Sequence, residues 1–315
     1  MDTRPTSLPT TRRAFLNLSA KGIGLLAFSP YAPQFLVQAT HAAVPAPETD
    51  RSILVVVQLA GGNDGLNTLV PFADDQYYRL RPTLGIAREK VLPTGDRCGL
   101  HPALAGLHRL YGDGKLAIVQ NVGYPNPNRS HFRSTEIWET ASASDEFAAS
   151  GWIGRYLDNA CAGQPADNHD PTAIHVTNGV PQSFQGNQPH PTFGLVPGGG
   201  SRRDNEDTRR LLEAMVRQPA DATTGNDATG FLRQTFMDTL VTERKVQQVL
   251  GAYRPGTTYP GSPFAASLRN VAALIAARLP TRVYFVSLGG FDTHTNQLAA
   301  HANLLTQLSD GLAAF

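Results

Sequence analysis

The sequence predicts an α/β fold in which a mainly parallel sheet is covered by helices on both faces. Residues 52–59, a continuous β-branched apolar run, read as a strand buried on both faces, as in a parallel sheet, and residues 281–288 read as a second core strand. Each run ends in a glycine pair, Gly61-Gly62 and Gly289-Gly290, which signals a sharp turn. Between and after them, stretches with helical spacing alternate with shorter apolar runs, the pattern of strand–helix–strand units. Composition agrees: 41% hydrophobic and 17% charged residues suit a globular chain. A formal net charge of +1 gives no sign of a nucleic-acid partner.

The chain opens with an address. Thr11-Arg12-Arg13-Ala14-Phe15-Leu16 resembles the twin-arginine export motif, a basic pair followed one residue later by Phe-Leu. A modest apolar run from Gly22 to Phe28 follows, too short to span a bilayer permanently. Thr40-His41-Ala42-Ala43 then supplies small residues for cleavage, and Val44-Pro45-Ala46-Pro47 a stiff spacer. Residues 1–43 are therefore expected to be a signal peptide, and residues 44–315 one α/β domain. The partner this implies is the twin-arginine translocase, and the destination is periplasmic or extracellular. No other stretch is apolar and long enough for a permanent membrane span.

Along the domain, residues 102–111 read as a helix with Leu104, Leu107 and Leu110 on one side, and Lys115 to Val122 as a strand. Pro125 and Pro127 break the chain before a helix from Ser130 to Ala141 that carries Phe132, Ile137 and Trp138. Residues 151–161 suggest a helix and Ala173 to Thr177 a short strand. Residues 179–202, rich in Gly, Pro, Gln and Ser, read as a long loop. Residues 205–217 and 228–250 read as helices of a helical insertion. Pro263 to Leu279 is helical, and a last helix spans Asn296 to Phe315. Cys98 and Cys161 belong to no CxxC pair, so cysteine-based metal binding is not expected; a disulfide and two buried thiols both remain open.

The residues that carry chemistry cluster after the two long strands. The first turn brings Asp64, the second Asp292 and His294. In open α/β sheets, ligands bind outside the carboxyl ends of the strands, and glycine lets the backbone turn tightly beside them. Asp and His together suit zinc, while carboxylates alone suit magnesium or manganese. Asp64 has a structural alternative as a turn former, and Asp292 as a helix cap. A third stretch, Asn128-Arg129-Ser130-His131-Phe132-Arg133-Ser134, puts a hydroxyl at a helix start, where backbone N–H groups favour an anion. Ser130 there is either an ordinary N-cap or, beside a metal, an activated nucleophile. His131 is either a surface residue or a packed one.

Together these elements resemble the family called domain of unknown function 1501, in the alkaline-phosphatase-like superfamily. The matching segments are Gln58 to Asn67, Asn128 to Phe132 and Gly290 to His294, and the leader also matches. The resemblance implies an alkaline-phosphatase- or sulfatase-like sheet, two divalent metals, and cleavage or transfer of phosphate and sulfate groups. It implies Asp64 as ligand of one metal, Asp292 and His294 as ligands of the other, and Ser130 as nucleophile with Ser134 as second choice. The cofactor would be zinc, magnesium or manganese, and the substrate a small-molecule or polymer ester. Asp292-Thr293-His294 is spaced more tightly than the Asp-x-x-x-His common in the superfamily's phosphatases. The chain also stops at Phe315, before a Ser-Glu-Phe-Gly-Arg-like segment and a later Asp-His pair, and so reads as a fragment or shortened member. Two functions are expected to compete: a metal-dependent hydrolase of phosphate or sulfate esters, and a non-catalytic exported binding or assembly protein on the same fold.

Overall fold

A computed structural model of the chain describes residues 52–160, 170–188, 190–197 and 242–315. The expected leader, Cys161, the expected helix at 205–217 and residues 228–241 of the helix expected at 228–250 lie outside the described residues. All described elements belong to one unit, Ser52–Phe315.

Its centre is a four-stranded, all-parallel sheet of β1 (Leu54–Leu59), β5 (Ala173–Val176), β6 (Thr192–Leu195) and β7 (Val283–Leu288), in the order β1-β7-β5-β6. β7 is the expected strand of residues 281–288. Because side chains alternate along a strand, its Tyr284, Val286 and Leu288 enter one core while Val283 and Phe285 enter another on the opposite face. Helices cover both. On the first face lie α6 (Pro263–Ala276), with Leu268, Val271 and Leu274, and α7 (Gln297–Ala314), with Leu305 and Leu308. There Leu104 leads into α3 (Ala105–Gly112). On the second face, α5 (Trp152–Ala160) inserts Ile153 and Leu157 beside Phe184. Burying large apolar side chains on both faces is why this central strand is apolar at every position but Ser287. α6 begins where the sequence signals a start: the Ser262 hydroxyl accepts from the Ala265 amide, and Pro263 opens the first turn.

Several expectations need correction. The strand over residues 52–59, β1 at Leu54–Leu59, is not buried on both faces: among the described residues it pairs only with β7, its residues are at most partly buried, and Leu54 is exposed. Lys115 to Val122 is not a strand. Leu116 and Ile118 pack against the core while Ala117 and Val119 face solvent, so the alternation holds over residues 115–119 only, and the segment finds no ladder partner among the described residues. The expected loop at 179–202 holds a 3-10 turn, Gln182–Phe184, and the edge strand β6. Phe184 is buried there, which ties the segment to the core. Missed altogether are α1 (Gly65–Thr68), α2 (Asp75–Leu80), and a small antiparallel sheet of β2 (Leu69–Val70), β3 (Leu92–Pro93) and β4 (Gly99–Leu100), in the order β2-β4-β3. Two-residue strands are too short to show a period in sequence. The remaining helices stand close to expectation, with α4 at His131–Thr140 and residues 242–252 helical.

Candidate metal centre

Parallel pairing brings the two glycine turns together. β1 and β7 run in register to their ends, with Leu59 opposite Leu288. The ladder continues past both strands: the Ala60 amide donates to the Leu288 carbonyl at 2.9 Å, and the Phe291 amide to the Ala60 carbonyl at 3.2 Å. Residues 61–65 and 289–294 are therefore neighbours at the carboxyl edge, where open sheets bind ligands. Gly61, at φ +113°, leaves no room for a side chain, since a β-carbon there would lie 2.6 Å from the Asp292 amide nitrogen. The start of α4 closes against the same place, with the His131 ring 2.7 Å from where a β-carbon of Gly62 would stand.

Three side chains meet there. His131 Nε2 lies 3.1 Å from Asp292 Oδ1, and His294 Nε2 lies 2.9 Å from the same oxygen. One ligand atom from each of the three falls within 4.8 Å of the others. All three side chains are exposed, His294 most of all. Among the described residues they form the one group of three such side chains able to hold a metal ion. Asp292 and His294 were singled out from the sequence; His131 was not named as a ligand. Its signal was the Asn128 to Phe132 motif, but its contact with Asp292 is made across 161 residues of sequence, where the first turn of α4 reaches the turn after β7.

Asp64 sits elsewhere in the same turn. It N-caps α1, and its carboxylate accepts from the Asn67 amide at 3.2 Å. Arg81 binds it with two nitrogens, at 2.6 and 3.0 Å, and Gln297 from α7 donates to it as well. Burial would raise the Asp64 pKa, but the Arg81 hydrogen bonds and charge, with Asn67 and Gln297, outweigh it and hold the carboxyl below its ordinary value. Asp64 thus makes the turn-forming bond open to it from sequence, within an ion pair that sequence did not suggest.

Ser130 occupies the N-cap position of α4, yet its hydroxyl makes no cap bond and the residue is exposed beside His131. Its backbone is held by the Asn128 side chain, which accepts from the Ser130 amide at 2.8 Å. Ser134 is engaged: its hydroxyl donates to the Asn128 carbonyl at 2.6 Å and pairs with the Tyr124 hydroxyl at 3.0 Å, fastening the loop that leads into the helix.

Beneath the turns lies a buried pair of histidines that sequence reasoning missed. The His301 ring donates from Nε2 to Asn63 Oδ1 at 3.0 Å and packs edge-on against Phe291. His101 Nδ1 accepts from the Ala103 amide at 3.0 Å, and the two imidazoles meet at 5.9 Å between centroids. His301 thereby props both turns, one through Asn63 and the other through Phe291. Burial holds both rings neutral, and with His301 nearby the pKa of His101 is lowered to about 4. Unfolded histidines protonate near 6.5. Below that pH the unfolded chain binds protons that the folded chain does not, so stability falls as pH drops from about 6.5 to about 4. For His101 the expected loss is on the order of 3 kcal/mol across that window. Urea unfolding at pH 7 and pH 4.5 should show it. A His101→Gln chain should be less acid-sensitive than the parent, and equal sensitivity would refute the assignment.

Comparisons with protein-family profiles, curated proteins and solved structures return no match. Among the described residues no helix is long and apolar enough to cross a membrane.

Proposed function

We propose that the protein is an exported, metal-dependent hydrolase of phosphate or sulfate esters, on an alkaline-phosphatase-like sheet of the kind the resemblance implies. The observation that carries this reading is the meeting of His131, Asp292 and His294 at the carboxyl edge of β7, within 4.8 Å of one another. The donor set fits a metal: two imidazole nitrogens and one carboxylate oxygen are the ligands zinc takes, whereas magnesium prefers oxygen alone. Zinc is therefore favoured over magnesium and manganese. A bound zinc ion supplies a Lewis acid for an ester oxygen and acidifies a bound hydroxyl or water. The residues around it do the rest. Ser130 presents a hydroxyl with no bond to its own helix, next in sequence to a ligand and at the amino end of a ten-residue helix whose N–H groups favour an anionic ester.

A second reading, a non-catalytic exported binding or assembly protein, is favoured by one observation. The group is open to solvent, with the His294 side chain 80% exposed, and a reaction site gains from excluding water. Hydrolysis of aryl phosphate and aryl sulfate esters by the metal-stripped and zinc-loaded chain separates the two. Zinc-dependent turnover that Ser130→Ala lowers at least about a hundredfold is expected for an activated nucleophile. Zinc binding without turnover on either ester would favour the binding protein. Export rests on the Arg12-Arg13 motif. Replacing both with lysine should leave the precursor inside the cell, and a doubly substituted chain still exported by that route would disprove the address.

A further inference from the structure

We propose that the site takes one divalent ion, and that the Arg81 guanidinium stands where the resemblance would place a second. This rests on the reading of His131, Asp292 and His294 as a metal centre. The superfamily's two-metal pattern needs Asp64 as a ligand, and Asp64 is committed to other partners. A carboxylate offers two oxygens with two lone pairs each. Oδ1 accepts from the Asn67 amide and from Arg81 Nη2; Oδ2 accepts from Arg81 Nη1 and from Gln297 Nε2. Four donors use all four positions, so none is left for a cation.

The arginine is held in place as firmly as the carboxylate. Its Nη1 also donates to Asn67 Oδ1 at 2.9 Å, and the Tyr77 hydroxyl donates to that oxygen at 2.7 Å. Tyr77 in turn accepts from the Ile86 amide, and Asn67 Nδ2 donates to the Leu84 carbonyl at 2.8 Å. The network joins α1, α2 and the segment after α2, and Asn67 and Tyr77 are both buried. For Asp64 to turn to a metal, this network would have to open and leave a partly buried guanidinium without its counter-ion. An ion placed against Asp64 would also face the arginine charge 2.6 Å from the shared oxygen, a like-charge contact. The neighbouring donor in the turn is no substitute, because Asn63 Oδ1 already accepts from His301 and Thr68. The two glycine turns, so alike in sequence, therefore do different work: one presents Asp292 to solvent with two imidazoles, while the other neutralises its carboxylate internally.

Zinc bound per chain, measured by equilibrium dialysis and elemental analysis on the full chain, decides the matter. The expected count is one for the parent chain, still one for Asp64→Asn, and none for Asp292→Ala. Two ions on the parent chain, or a count that drops when Asp64 becomes Asn, would overturn the single-ion centre while leaving the metal reading intact. No zinc on the parent chain would instead overturn the metal reading beneath it. Should Asp64→Asn fail to fold, titration of the parent chain with cobalt(II), followed by its visible absorption, still decides. Saturation at one equivalent supports the proposal, and a second step in the titration refutes it.

Discussion

Asp292→Ala is expected to remove zinc binding from the chain while leaving the fold in place. The carboxylate is the single anionic group of the three and touches both imidazoles, at 3.1 Å from His131 and 2.9 Å from His294. Its loss would take away a ligand of the proposed centre, a negative charge that would lower the cost of placing a dication, and the contact shared by two otherwise exposed rings. Groups that merely orient a ligand are worth about 10–100-fold in metal affinity. A residue that both ligates and orients should then weaken binding by more than about 100-fold. Stability should change little, because the side chain is 44% exposed and its partners are exposed as well. Calorimetric titration with zinc measures the first effect and thermal unfolding the second. An alanine variant that bound zinc as tightly as the parent chain would sink the site.

Gly61→Ala should be among the most damaging single substitutions outside the core. At φ +113° an L residue is strained, and the added carbon would lie 2.6 Å from the Asp292 amide nitrogen and 3.1 Å from the Phe291 carbonyl carbon. Those atoms are backbone, held by the Phe291-to-Ala60 hydrogen bond, and cannot swing aside as a side chain would. Strain of about 1–3 kcal/mol and overpacking of similar size point to a loss of about 3 kcal/mol or more. Because the displaced chain carries Asp292, zinc affinity should fall with stability. Gly65→Ala is the matched control. It sits at the first position of α1 with nothing within 4 Å of the added carbon, so it should be neutral or slightly stabilising. Urea unfolding of both variants tests the contrast, and equal stability of the two would contradict the close approach of the turns.

How much of this was legible beforehand varied with how local the cause was. β7 and its turn could be read because a strand buried on both faces must be apolar at every position, and Val283–Leu288 comes close to that. α6 could be read because Ser262-Pro263 is a start signal followed by helical spacing. Lys115 to Val122 has the same local pattern as a strand, but whether a chain forms a ladder depends on a neighbour that its own residues do not specify. Arg81 gave no sign of its role, because it reaches Asp64 across 17 residues through α2. His131 and Asp292 are 161 residues apart, and the pair exists only where α4 meets the edge of the sheet.

By itself the sequence determined the kind of protein this is: strands and helices in alternation, an α/β unit with a parallel sheet, and two glycine turns carrying acids at its carboxyl edge. Those features follow from period, apolar content and turn chemistry, which act within a few residues. The tertiary structure alone decided which acid stands open beside two imidazoles and which is paired internally. Asp64 and Asp292 follow glycine pairs that look alike, and no local rule separates them. What separates them is company: a guanidinium, a glutamine and an amide close around one, while two imidazoles from different elements stand open beside the other. A carboxylate's chemistry is set by the charges and donors within a few ångströms, and only the fold places those.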